Sequence, residues 1–250
     1  MSLSRRHALT LALAALASAG RAAGLEAAGP IRIATEGGFP PYNAIDAQGN
    51  LIGFEIDLAA AICAAEGLDF IWVVTDWSDM IPGLLRGDFD VVMAGMGITP
   101  SRAAQVSFGR EYFPGDGQAT GMFVGTHTFQ NPIEGVIAVQ SGTIHEDHLK
   151  ARGARILGCD TAGAALAAVL DGRADTTFGS PDFLERQVWH TSRTLTILGT
   201  EEISAGGAAP AFRKADDALR HRFDAALDRL GGDGTLDRLR DTWFAPSRDI

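Results

Sequence analysis

Two stretches of this chain run through the same order of element types and carry the same punctuation. From Ile31 the sequence reads as strand "IRIATE", helix "FEIDLAAAICAAEG", strand "FIWVVT", helix "SDMIPGLLRG" and strand "FDVVMAG". From Val136 it reads as strand "VIAVQSG", a helix around His145 to Ala151, strand "ARILGC", helix "TAGAALAAVLDG", strand "ADTTFGS" and a helix starting at Pro181. Each is a βαβαβ run, and both carry Leu-x-Gly-x-x-Asp at the second helix-to-strand junction, at Leu85, Gly87 and Asp90 and again at Leu170, Gly172 and Asp175. Gly87 and Gly172 are read as left-handed helix stops. Two such units joined by the extended segment "FPGDGQATGMFVG" predict an α/β protein of two lobes with a cleft between them. The C-terminus leaves the alternation. Leu219, Phe223, Ala226, Leu227 and Leu230 are spaced for one buried helical face, and "DGTLDRLRDTWF" predicts a further helix.

Charge and length narrow the partners. At 250 residues with 46% hydrophobic residues the chain is ordinary for a globular protein. A net charge of −10 argues against nucleic acid or an anionic membrane and leaves small solutes. Residues 1–19 read as an export signal: Arg5 and Arg6, an uncharged run from Ala8 to Ala17, then small residues at Ala17 and Ala19. Ser4-Arg5-Arg6 resembles a twin-arginine signal, yet Ala8 stands where that pattern usually has Phe, so two export routes stay open. Cleavage would take the net charge from −10 to −12. No later stretch is long and uncharged enough to span a bilayer, so the expected product is periplasmic and soluble. Cys63 and Cys159 read as packed thiols, since residues so far apart in separate α/β segments need not be neighbours.

In parallel α/β sheets, ligands gather at the carboxyl ends of strands, which selects Glu36 to Phe39, Asp76 and Trp77, Gly95 to Arg102, Ser141 to Thr143, and Ser180. "QSGT" runs off a strand into a helix. The N–H groups of Gly142 and Thr143 and the Thr143 hydroxyl suit an anion, and plain N-capping explains them equally well. Arg102 offers a planar fork matched to a carboxylate, and alone it reads as well as a surface charge. Phe39 and Trp77 read either as walls of a slot, with Glu36 beyond as an acid for a polar tip, or as core. Gly95 and Gly97 leave bare backbone and space beside it. "HEDH" at 145 to 148 lacks a third metal ligand and reads as a solvated face. There is no nucleophile elbow, phosphate loop or dinucleotide fingerprint, so no catalytic residue, cofactor or metal is expected.

The segments "IATEGGFPPYN", "GNLIGFEIDLAAAI", "GITPSR", "VQSGT", "LDGRAD" and "GDGTLDRLRDTWF", in that order, resemble the polar-amino-acid family of bacterial extracellular solute-binding proteins, family 3, near the lysine/arginine/ornithine, histidine and opine binders. The resemblance implies a type II periplasmic-binding-protein fold. Lobe 1 would comprise residues 30–113 and 205–250, and lobe 2 residues 114–204. It also implies a monomer that serves the membrane permease of an ABC importer. Residue by residue, it makes Arg102 and Thr143 carboxylate binders, Phe39 and Trp77 the side-chain sandwich, and Glu36 the acid that cation-binding members use. Gly97 stands where a serine commonly helps hold the α-ammonium, and Ser180 where an aspartate does, with Asp182 two residues on as a substitute. The carboxylate end thus matches the family and the ammonium end departs from it.

This combination predicts an N-substituted, opine-like amino acid, whose nitrogen needs more room and has one donor fewer. The competing expectation is a cyclohexadienyl dehydratase-like enzyme on the same fold, with Glu36 or Asp182 as general acid, although the sequence sets apart no carboxyl group in an apolar pocket. A membrane-receptor sensor module is disfavoured by the lack of a span before Ile250.

Overall fold

A computed structural model describes residues 29–126, 131–191 and 194–245; the expected export signal lies outside them. The chain begins with β1 (Ile31–Thr35), a small hairpin region of β2 (Gly38–Phe39), β3 (Asn43–Ile45) and β4 (Leu51–Ile52), and α1 (Phe54–Glu66). It continues with β5 (Phe70–Val74), a 3₁₀ turn at Trp77–Asp79, α2 (Met80–Arg86), β6 (Val91–Val92), α3 (Pro100–Gln105) and β7 (Ser107–Phe108). The middle of the chain holds β8 (Gln118–Gly125), β9 (Val136–Gln140), α4 (Ile144–Ala151), β10 (Arg155–Cys159), α5 (Ala162–Leu170), β11 (Thr176–Gly179) and α6 (Pro181–His190). Then follow β12 (Thr196–Ser204), β13 (Ala211–Phe212), α7 (Asp217–Gly232) and α8 (Thr235–Phe244).

Two five-stranded sheets result, in the orders β5-β1-β6-β13-β7 and β10-β9-β11-β8-β12. In each, the first three strands are parallel and the last two antiparallel. The fourth strand of each sheet, β13 or β8, is the segment that has just crossed from the other sheet. Alternation along the strands sorts side chains onto two faces. Ile33, Val91 and Met93 pack with α1, α7 and α8, and Ala34, Val92 and Ala94 pack with α2. In the second lobe Ile137 and Val139 face α4 while Ala138 faces α5. Each large apolar side chain so buried contributes roughly 1.5–3 kcal/mol. α7 buries the five residues that its spacing predicted, Leu219, Phe223, Ala226, Leu227 and Leu230, against α1.

The joining segment differs from the sequence expectation. Its second half is not a linker but β8, paired on both sides by β11 and β12, so the crossing itself is short. At the crossing, Phe113 and Ala208 bridge, and the Glu111 carboxylate accepts from the N–H groups of Gly207 (3.0 Å) and Gly115 (3.4 Å). A Cβ on Gly207 would lie 1.8 Å from the Phe113 carbonyl oxygen, so no other residue fits there. Cys63 and Cys159 are both buried and free, and burial pushes the Cys63 thiol up to about 11, which matches inert packing. Among the described residues no helix is long and apolar enough to cross a membrane.

Candidate functional site

The carboxyl ends of both sets of parallel strands face one cavity of about 410 Å³ between the sheets, lined by residues of each. Arg102 reaches it from α3, a helix started by Pro100 and capped by Thr99, whose Oγ1 accepts from the Arg102 N–H at 3.2 Å. Its Nη1 donates to the Gly97 carbonyl (2.8 Å) and its Nη2 to the Gly142 carbonyl of the second lobe (3.1 Å). The guanidinium carbon sits 5.1 Å from the Trp77 ring centre. Burial lowers the Arg102 pKa, with Asp147 opposing from a distance, and among the described residues Arg102 has no carboxylate in ion-pair contact. A half-buried guanidinium without a counter-ion, with donors still free toward the cavity, suits an anion.

The second lobe meets it with the start of α4. Here N-capping takes up much of what the sequence offered to an anion: Thr143 Oγ1 donates to the Gln140 carbonyl (2.8 Å) and accepts from Glu146 N–H (3.2 Å), and Gly142 N–H donates to Glu146 Oε2 (2.9 Å). The Thr143 N–H has no intramolecular acceptor among the described residues. Ser141, expected at the site, does not line the cavity; its Oγ turns to Gly158 on β10 because consecutive strand residues point to opposite faces.

At the far end, Glu36 follows β1 and accepts from Gln140 Nε2 across the cleft (2.7 Å). Burial pushes the Glu36 carboxyl up to about 7, the Gln140 bond opposes, and nearby Asp76 adds to the rise. Phe39 stacks on Tyr42 at 5.1 Å and on Phe183 at 6.0 Å, whereas Trp77 turns its ring to Arg102 and donates Nε1–H to the Gly142 carbonyl at 3.1 Å. Both rings line the cavity.

Gly95 and Gly97 line it too and differ in what they tolerate. A Cβ at Gly95 would lie 2.8 Å from the Phe39 ring, whereas one at Gly97 meets the Gly206 carbonyl oxygen only at 3.5 Å, an ordinary contact. Ser180 caps α6 without a side-chain bond, and Asp182 in its first turn accepts from Tyr42 O–H across the cleft at 2.8 Å. Burial raises the Asp182 pKa against the pull of Tyr42 and Arg186.

Sequence reasoning passed over Tyr42, Gln140 and His145, all of which line the cavity. Tyr42 and Gln140 meet partners more than a hundred residues away, which no local pattern announces. His145 belongs to the "HEDH" run read as solvated. Burial drives its pKa down to about 4 and its Nε2 is sealed without a partner, while His148 instead pairs with Glu201. Glu55, buried at the start of α1, accepts from Asn43 and from Gly95 N–H at 2.8 Å each and from Tyr112, and so fixes the backbone beside the cavity. A glutamate within the core-facing stripe of α1 is its one sequence signal.

Comparison with known proteins agrees with this geometry. Residues 31–246 match the family model of bacterial extracellular solute-binding proteins, family 3. A putative ABC transporter arginine-binding protein 2 of Escherichia coli K12 is 28% identical over 87% of this chain and 92% of its own length. An octopine-binding periplasmic protein of Rhizobium meliloti is 26% identical over 90% of this chain and 93% of its own. A periplasmic His/Glu/Gln/Arg/opine family-binding protein of Silicibacter pomeroyi, solved in complex with lysine, superposes with a TM-score of 0.81 at 32% identity, covering 88% of this chain and 99% of that one. The chain belongs to the bacterial extracellular solute-binding proteins, family 3.

Proposed function

We propose that this family member is the periplasmic solute-binding component of an ABC importer and captures a small carboxylate-bearing polar amino acid, or an N-substituted, opine-like derivative of one, by closure of its two lobes. The carrying observation is Arg102, a half-buried guanidinium without a carboxylate partner among the described residues, at the junction of both lobes. A ligand carboxylate supplies the missing charge through the remaining N–H donors of Arg102 and the N–H of Thr143. Phe39 and Trp77 flank the ligand stem and Glu36 receives a cationic tip. Lobe boundaries at residues 30–113 with 205–250, and at 114–204, put the short crossing at the hinge. Closure makes the two lobes one surface for a membrane permease, and the protein acts as a monomer.

The opine preference rests on the ammonium end. Gly97 provides no hydroxyl and Ser180 no charge where the family's amino-acid binders commonly do, and Asp182 is already engaged by Tyr42. Gly97 leaves room for a side chain, and hence for a second substituent on the ligand nitrogen. Relatives named for arginine, histidine and octopine support both ligand classes. A thermal-shift screen against amino acids, opines and small carboxylates tests the reading; stabilisation by none of the carboxylated amino acids overturns it.

A second reading has one observation in its favour. The Glu36 carboxyl, raised to about 7 by burial, can hold the proton that a general acid needs, which the sequence did not reveal, so a dehydratase-like activity is tested by incubation with prephenate or arogenate and a spectrum of the products.

A further inference from the structure

α6 of the second lobe reaches the first lobe at two levels. Asp182 and Arg186 stand one turn apart on one face of the helix, and each finds a partner across the cleft. Asp182 lines the cavity and accepts from Tyr42 O–H at 2.8 Å. Arg186 is not among the residues that line the cavity, and it donates from Nη2 to the carbonyl of Trp243, in the last turn of α8. The last C=O groups of a helix lack helical donors and carry partial negative charge. α8 supplies no base of its own there: its last turn, Asp241-Thr242-Trp243-Phe244, holds an acid and no basic residue. The cation that complements this helix end comes from the other lobe.

α8 itself is fixed to the first lobe. Arg240 Nε donates to the Tyr112 carbonyl at 3.1 Å, beside the crossing, and its guanidinium carbon lies 5.4 Å from the Phe113 ring centre. Trp243 donates Nε1–H to Asp57 on α1 at 2.8 Å, and the Phe244 ring centre lies 4.7 Å from that of Phe113 and 5.0 Å from that of Tyr42. The helix end therefore keeps its place in the first lobe, and only a second lobe swung against it brings Arg186 within reach.

We propose that Arg186 and the C-terminal end of α8 form a closure latch, a contact outside the ligand cavity that favours the closed form and scales the affinity for every ligand by one common factor. A ligand held by the closed form has an apparent affinity proportional to the population of that form. Removing a contact made only on closure lowers that population without altering any group that the ligand touches. As a regulator of affinity the latch rests on the function proposed above, while the contact itself belongs to the two lobes alone.

The test is titration calorimetry and stopped-flow dissociation with arginine, histidine and octopine on wild type, Arg186→Met and Arg186→Lys. Arg186→Met keeps most of the aliphatic stem and removes the donors and the charge. It should weaken every ligand that binds by the same factor, about threefold to tenfold, through faster dissociation. Arg186→Lys keeps a cation for the helix end and should recover most of that loss. Affinities of Arg186→Met within about twofold of wild type overturn the latch. A loss that differs more than about threefold between ligands overturns it too, since it would make Arg186 a ligand contact. Melting temperatures close to wild type verify folding, and Arg186→Gln takes the place of the Met variant should that one misfold. A wild type that binds no carboxylated amino acid overturns the function reading alone. The latch is then tested by solution scattering of the unliganded proteins, where Arg186→Met should enlarge the radius of gyration and an unchanged profile overturns it.

Discussion

The two lobes use one device at the same place and support it differently. In each, the aspartate of Leu-x-Gly-x-x-Asp follows a glycine of positive φ, Gly87 at 83° or Gly172 at 72°, and donates its backbone N–H to the neighbouring strand: Asp90 to the Arg32 carbonyl and Asp175 to the Val136 carbonyl, both at 2.8 Å. Each carboxylate then accepts the N–H of that same residue, Arg32 at 3.1 Å and Val136 at 2.7 Å. Around Asp90, however, two arginines converge. Arg32 binds it through Nε and Nη2, and Arg213 through Nη2 at 2.9 Å, with further Arg213 bonds to the carbonyls of Leu84 and Phe89. Asp175 packs instead against Gly135. The first sheet is assembled from two distant stretches of chain, and Arg213 lies just beyond β13, the strand that returns to it. The second sheet comes from one continuous stretch and needs no such tie.

The contrast is broken most directly by comparing Asp90→Ala with Asp175→Ala in urea unfolding. Asp90→Ala leaves two partly buried arginines without their shared carboxylate and should cost about 2–4 kcal/mol. Asp175→Ala removes one backbone bond and should cost about 1–2 kcal/mol. Equal losses contradict the idea of a tie specific to the first lobe. Burial works against the Asp90 charge, but Arg32 and Arg213 hold its pKa below the ordinary carboxylate value. A lowered folded pKa contributes stability above the ordinary carboxylate range and loses it as pH falls through the lowered value, so the gap between the variants should narrow in strong acid.

At the cleft the contrast continues. The first lobe brings Glu36 and Arg102, while the second brings Gln140, the Gly142 carbonyl and the Thr143 N–H; Asp182, its one cavity acid among the described residues, is bonded to Tyr42. With the Glu36 carboxyl raised to about 7, a cationic ligand tip must displace a proton below that pH. Affinity for such a ligand should fall about tenfold from pH 8 to pH 6, and calorimetry in two buffers of different ionisation heat should show the proton leaving. A flat profile denies Glu36 its contact with the tip. A smaller effect is expected at Gly97. Gly97→Ser should weaken an N-substituted ligand by roughly threefold to tenfold by filling its space, about 1 kcal/mol, while improving a free amino acid. No change in either direction removes the basis for an opine preference.

How much of this was legible beforehand follows from the length scale of each signal. The helices and parallel strands show in their periodicity, and the repeated glycine and aspartate positions mark both lobes. β8 and β12 escape because "QATGMFVG" carries two glycines and "TILGTEEIS" is mostly exposed; β8 is buried over its second half, and β12 is defined by pairing along its length with β8. Positions at strand ends bring Glu36, Phe39, Trp77, Gly97, Arg102 and Thr143 to one cavity as expected. Ser141 fails by one residue, since alternation turns Gln140 inward and Ser141 away. Tyr42 with Asp182 and Glu36 with Gln140 were invisible because cross-lobe pairs depend on closure geometry alone.

The central claim is that Arg102 receives a ligand carboxylate at the junction of the lobes. Titration calorimetry of wild type and Arg102→Ala, with the best ligand from the thermal-shift screen, measures it directly. Two charge-assisted hydrogen bonds at about 1.5–3 kcal/mol each predict a loss of a hundredfold or more, with folding intact by circular dichroism. Wild-type affinity in the alanine variant would contradict the account.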